Sequence, residues 1–239
     1  MIHFMNYIEF KYLIKNAQYE TKYEPLISTK DDSIYGYEAL SKFEINQETI
    51  STEEIFRKLH HNNTLFFELE KRNKQLQINN FFDNKKLFLN FDADIVNSFE
   101  QKSYWEQFLK NCNKDIVVEI TENGSDDETS MQIIHNFSLW LKNRGIESAL
   151  DDFAKEGSMF SFFLMDKSKY IKVDKSFLKQ IKKNPNYIEY IKGILKTIKL
   201  NKQFSIIEGI ELKEDYLFAK EIGFDYMQGY FFNNLVIIK

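Results

Sequence analysis

The stretch YEPLISTKDDSIYGYEALSKF, Tyr23–Phe43, holds two apolar runs of β type, YEPLIS from Tyr23 and IYGYEALSKF from Ile34, with no helical pattern between them. Both mix β-branched and aromatic residues with polar ones in the way of half-buried strands. Further along, the runs KLFLNF from Lys86, DIVVEIT from Asp115, IESALDDF from Ile146, YIKVDKSF from Tyr170, FSIIEGI from Phe204 and DYMQGYFF from Asp225 alternate with helical patterns. That alternation calls for a mostly parallel sheet with helices outside it. With 239 residues, a chain of about eight strands favours a closed (β/α) barrel over an open sheet.

The helices announce their ends. Ser51 and Glu54 have capping-box spacing ahead of IFRKLHH, and a second helical pattern runs from about Thr64 to Phe82. Ile134, Phe137 and Leu141 share a helix face before Gly145; Asn184 and Pro185 suit N-cap and N1 of a helix carrying Ile188, Ile191, Leu195 and Ile198. KEDYLFAKEIG adds a short helix ending at Gly223. No repeat, low-complexity tract or linker interrupts the pattern, so one domain is expected: an extension over 1–22, a barrel over 23–232 and a tail over 233–239.

A net charge of -4 gives no general drive toward nucleic acid polymers or anionic lipid, so any phosphate must be met by local cations or metal. The single cysteine, Cys112, excludes an internal disulfide and fits a reducing compartment, the cytoplasm. No signal peptide is evident, and no run nears the ~18 apolar residues of a membrane span.

Asn90, Glu119, Asp151, Lys172 and Glu208 each follow two to four strand-forming apolar residues. One acid at a strand end is ordinarily a solvated turn. In a barrel, however, all strands deliver their carboxyl ends to one face, so the five converge on one pocket. Clustered carboxylates repel each other and lose solvation unless cations neutralise them. Oxygen ligands without His or Cys suit hard divalent ions such as Mg²⁺ or Mn²⁺. Two ions about 3.5–4 Å apart, bridged by an adjacent Asp pair, serve phosphodiester hydrolysis, and Lys172 can orient water or offset charge.

In this order the motifs resemble the EAL domain, a family of bacterial phosphodiesterases that open cyclic di-GMP to linear pGpG. Glu38-Ala39-Leu40 carries the family's name, followed by LFLNF, VVEITE, ALDDF, YIKVDKSFL, IIEGIE and MQGYFF, from about Tyr23 to Phe232. The resemblance implies an α/β fold, a modified TIM (β/α)8 barrel whose first strand is antiparallel, which agrees with the missing helix between the first two strands. It implies two divalent cations, Mg²⁺ or Mn²⁺, held by Glu38, Asn90, Glu119, Asp151, Asp152 and Glu208. Catalysis falls to Lys172, Glu208 and Glu211, substrate contacts to Leu40, Lys42 and Gln228, and anchoring of the loop after the Asp pair to Glu122. Cyclic di-GMP is the implied partner, and a homodimer is compatible with the family.

Three departures bear on activity. Where the family continues the Asp pair as Phe-Gly, Thr or Ser, Gly, this chain has Phe153, Ala154, Lys155 and Glu156. Glycine reaches positive φ without penalty and alanine does not, so the loop is expected to take another path or to be less ordered. Lys42 replaces an Arg that meets phosphate, keeping charge without the two-point geometry. Glu24 replaces a Gln, and its charge beside an anionic ligand is unhelpful unless it turns away or finds a cation. The leading expectation is an active phosphodiesterase; the rivals are a ligand-binding or protein-interaction module that has lost turnover, and a metallophosphodiesterase for another nucleotide.

The remaining features read as structure. His60 and His61 have no acid or Cys at ligand spacing, and Cys112 reads as an inert thiol. The Phe pairs fill core, KSFLKQIKKNPN is a solvated helix face, and the acids Asp126 to Glu128 suit a helix's first turn.

Overall fold

The computed structural model describes residues 11–12, 15–45, 48–60, 62–121, 128–157 and 161–239. Its strands are β1 (Gln18–Ser28), β2 (Ile34–Ile45), β3 (Glu48–Ile50), β4 (Lys86–Asn90), β5 (Ile116–Thr121), β6 (Ser148–Phe153), β7 (Tyr170–Val173), β8 (Phe204–Ile207), β9 (Tyr226–Met227) and β10 (Ile237–Ile238). The helices are α1 (Thr52–Leu59), α2 (Asn63–Asn79), α3 (Phe99–Lys110), α4 (Glu128–Asn143), α5 (Phe162–Lys167), α6 (Ser176–Lys183), α7 (Ile188–Leu200) and α8 (Lys213–Ile222).

Neighbours run β1-β9-β8-β7-β6-β5-β4-β2, and β2 pairs back onto β1, so the sheet closes. β1 is antiparallel to both β2 and β9, while each pair from β2–β4 round to β8–β9 is parallel. This is a mixed barrel with helices between the parallel strands. A short polar turn can reverse the chain only into an antiparallel neighbour, whereas each later parallel step needs a crossover. β3 hangs on β2 and β10 on β1, outside the closed ring.

The pleat organises the interior. Leu26, Phe88, Val117, Ala149, Tyr170 and Ile206, all buried, meet in one apolar layer inside the barrel. Successive side chains alternate between faces, so the next inward residues along five parallel strands are Asn90, Glu119, Asp151, Lys172 and Glu208. The polar set is therefore the layer directly above an apolar one. Below, Tyr35 stacks on Tyr226 at 3.9 Å, and its hydroxyl meets that of Tyr170 at 2.7 Å. Two larger apolar clusters join the outer face of the sheet to the helices.

Ser51 caps α1 by accepting from Glu54 N at 3.3 Å, as the spacing predicts. At two places the strand ends earlier than its apolar run. β7 stops at Val173 because Asp174 Oδ1 accepts from Ser176 N at 2.8 Å and turns the chain into α6. β9 stops at Met227 because the chain then bonds to the segment after β8: Ile210 N donates to Gln228 O at 3.0 Å and Phe231 N to Ile210 O at 2.9 Å. Gly229 permits that approach, since a Cβ there would lie 2.4 Å from both N and O of Ile210. Gly229→Ala is accordingly expected to cost about 1–3 kcal/mol, read as a lower urea midpoint, whereas an unchanged midpoint would mean this crossing is looser than described.

Candidate active site

Lys172 stands at the centre of the polar layer, fully buried. Its Nζ lies 2.9 Å from Glu119 Oε1, 2.9 Å from Glu208 Oε1, 3.1 Å from Asp151 Oδ1 and 3.2 Å from Glu38 Oε2. Four strands and the turn after a fifth thus aim charged groups at one point. Glu38 is further held by Asn90 Nδ2, which donates to Oε1 at 2.8 Å, and by Gln228 Nε2, which donates to Oε2 at 2.7 Å. Gln228 Nε2 also reaches Glu24 Oε2 at 3.2 Å.

One ammonium cannot neutralise four carboxylates. Burial, with the neighbouring Glu38 carboxylate, holds Glu119 well above the usual carboxylate range despite Lys172. Burial likewise raises Asp151 and pushes Glu208 up to about 8, each opposed by Lys172. Glu38 goes the other way: burial would raise it, but Lys172, Gln228 and Asn90 together hold it below its ordinary value. For Lys172, burial is outweighed by Asp151, Glu119, Glu208 and Glu38, so it keeps its proton.

The donor set fits divalent cations. Beyond the Lys172 ammonium, no donor among the described residues meets either oxygen of Glu119 or Asp151 Oδ1, although all three are buried. Lone pairs left over around a single ammonium are what hard cations use. Asp152, Asp174 and Glu208 form a second group, each with an oxygen within 4.8 Å of the others. Asp174 was not among the residues singled out in the sequence. It stands two residues beyond Lys172, just past the end of β7, so the pleat points both to the same side.

The remaining candidates divide. Leu40, Glu211 and Gln228 line a cleft of about 500 Å³ together with Glu24, Glu38, Asp152, Lys155, Asp174, Lys175, Glu208 and Tyr230. Glu211 is exposed, on its rim. Lys42 is absent from that lining, and its Nζ lies 2.7 Å from Glu20 Oε2, its cross-strand partner. Glu24 does face the cleft, opposite Glu38 in the register, with Lys22 as its cation. Glu122, the expected loop anchor, lies outside the described residues, as do His61 and the acids at Asp126 and Asp127. His60, for which the sequence offered no ligand partners, meets Asp94 Oδ2 at 2.9 Å and Asp92 Oδ2 at 3.6 Å, acids brought in by the turn after β4.

The loop after the Asp pair does take up positive φ without a glycine. Ala154 takes a φ of 64° and Asp152 one of 56°. The chain adopts at Ala154 the conformation a glycine would favour, at a cost of about 1–2 kcal/mol. Lys155 N donates to Asp152 O at 3.1 Å and closes the turn.

Fold and site together define an α/β barrel with a lysine–carboxylate cluster at the carboxyl ends of its strands. Residues 9–234 match the EAL domain, and the chain belongs to that family. It is 23% identical over 227 residues to the probable cyclic di-GMP phosphodiesterase PdeN of Escherichia coli, covering 91% of this chain and 43% of that protein. It is 22% identical over 221 residues to the cyclic di-GMP phosphodiesterase TpdA of Vibrio parahaemolyticus, covering 92% of this chain and 38% of that one. The chain thus spans roughly two fifths of the length of these curated relatives. The YkuI protein of Bacillus subtilis, solved with cyclic di-GMP and calcium, shares the fold with a TM-score of 0.77 at 20% identity, over 95% of this chain and 57% of that structure.

The pKa directions give a pH dependence. Glu119, Asp151 and Glu208 are raised in the folded chain, so their contribution to stability is complete below the unfolded values near 4–4.5 and is lost as pH rises toward the folded ones, about 8 for Glu208. Glu38, shifted down, loses its contribution only below 4.5 and stays out of this window. In chelator, the melting temperature is therefore expected to fall between pH 5.5 and 8.5, and Glu208→Gln should flatten that fall. A melting temperature that rises across the window would contradict the charge balance described.

Proposed function

We propose that the chain is a metal-dependent phosphodiesterase that hydrolyses cyclic di-GMP to linear pGpG. The observation carrying this reading is the single buried Lys172 ammonium shared by the four carboxylates of Glu38, Glu119, Asp151 and Glu208. Family membership, and the names of two relatives, supply the substrate class. Glu38, Asn90, Glu119 and Asp151 would hold one cation, and Asp151, Asp152 and Glu208, joined by Asp174, a second, with Mg²⁺ or Mn²⁺ matching the all-oxygen donors. Such ions, when bound, supply the Lewis acidity that makes water a nucleophile and stabilises the leaving oxygen.

The chain's own groups set the rest. Lys172 keeps its proton, so it acts as a donor that orients the attacking water and offsets charge on the phosphoryl oxygens, not as a base. Asn90 and Gln228 donate to Glu38 and fix the direction of its oxygens. Leu40 and Tyr230 give the cleft apolar and aromatic surface for a guanine, and Glu208 and Glu211 form its acidic side. Lys42 reaches a phosphate only by leaving Glu20. This reading has one catalytic domain working in the cytoplasm on a small-molecule substrate, with homodimerisation compatible. No helix among the described residues is long and apolar enough to cross a membrane.

A second reading, a module that binds cyclic di-GMP or a protein without turnover, is favoured by one observation: Lys155, in the altered loop, sits on Asp152. Incubation with cyclic di-GMP and Mg²⁺ or Mn²⁺, with pGpG followed by chromatography, separates the two. Product is expected from the wild type, with Glu38→Ala lowering the rate by about a hundredfold or more, beyond the 10–100-fold typical of outer partners. Tight binding without product would establish the module instead, and turnover that survives Glu38→Ala would place the chemistry elsewhere.

A further inference from the structure

The two lysines that reach the acidic cluster differ in kind. Lys172 is buried, has four carboxylate neighbours and has nowhere else to go. Lys155 comes from the loop: its side chain is 44% exposed, and its Nζ lies 2.7 Å from Asp152 Oδ2. Asp152 is one corner of the group it forms with Asp174 and Glu208. The fields of Asp174 and Asp151 also act on Lys155, so its charge is directed at the group and not at one carboxylate alone.

The backbone holds it there. Positive φ at Asp152 and Ala154 bends the chain back, and the bond from Lys155 N to Asp152 O at 3.1 Å closes the turn. On the far side Glu156 N donates to Ser176 Oγ at 3.0 Å, while Ser176 N donates to Asp174 Oδ1 at 2.8 Å. Loop and Asp174 are thus tied to the same serine.

We propose that Lys155 is a tethered competitor for the cation position formed by Asp152, Asp174 and Glu208: it neutralises Asp152 in the cation-free chain and must leave that carboxylate before a divalent ion can use it. The proposal rests on the cation-dependent reading above and deepens it by making the two positions unequal. A half-exposed pair three residues apart is weak, so Lys155 is displaceable where Lys172 is not. The second ion then binds only once its concentration overcomes the lysine, which makes occupancy of that position responsive to the divalent ion level.

Titration of Mn²⁺ into the metal-stripped chain by calorimetry, at fixed pH and salt, tests this without reference to turnover. Lys155→Met, with Lys155→Ala as a second variant, is expected to tighten the weaker Mn²⁺ site by about fivefold or more, or to reveal a second ion the wild type does not take up. Lys155→Arg should leave the wild-type isotherm unchanged, and adding Asp152→Asn to Lys155→Met should abolish the gain. Two ions bound with the same affinities in wild type and Lys155→Met would overturn the competitor role while leaving the cation-dependent reading standing. No Mn²⁺ binding by any of these proteins would sink that reading, and the competitor role with it.

Discussion

Everything at the open end of this barrel depends on one ammonium group surrounded by carboxylates. Lys172 is buried with Glu38, Glu119, Asp151 and Glu208 around its Nζ, and burial pushes three of those acids toward protonation, which one positive charge does not offset. Removing ions from water costs several kcal/mol each even after relaxation. A purely structural core would have filled the same space with apolar side chains. The excess of acids is therefore a feature that burial alone works against, and it makes sense as a receptor for further positive charge.

The barrel makes such a cluster attainable. Each strand from β4 to β8 carries an apolar residue in the closed interior layer and a polar one two positions later, so the fold's own pleat delivers the polar groups above an apolar floor. β1 completes the ring in the antiparallel sense and brings Glu24 opposite Glu38. Gly209, with φ of 71° and no room for a Cβ beside Lys175, and Gly229, crossing Ile210, let the chain leave β8 and β9 closely enough to keep Glu208 and Gln228 over the same point.

Much of this could be read from the residues alone, because periodicity is local. Apolar runs ending in Asn90, Glu119, Asp151, Lys172 and Glu208 identify both strands and site, and the missing helix after Ser28 identifies the antiparallel neighbour. Asp174 follows only one apolar residue, Val173, so no apolar run marks it. What stayed hidden depends on register and on turns. Lys42 faces Glu20 only through the pairing of β1 with β2, whereas Glu24 finds Lys22 two residues back on β1 itself. His60 acquires Asp92 and Asp94 only when the turn after β4 folds beneath α1. The path of the loop at Ala154 was the opposite case: a propensity argument pointed away from positive φ, and tertiary ties at Ser176 and Asp152 hold it there.

The same loop is where this chain parts from the pattern of its family. The acids around Lys172 match the family's motifs, while Ala154 and Lys155 alter the ground on which the second acidic group stands. Whether the cluster around Lys172 is a receptor for divalent cations is most directly tested by anomalous diffraction from crystals grown with Mn²⁺. The account predicts anomalous density enclosed by Glu38, Asn90, Glu119 and Asp151. Density confined to the surface group of His60, Asp92 and Asp94, with none at the strand ends, would contradict it.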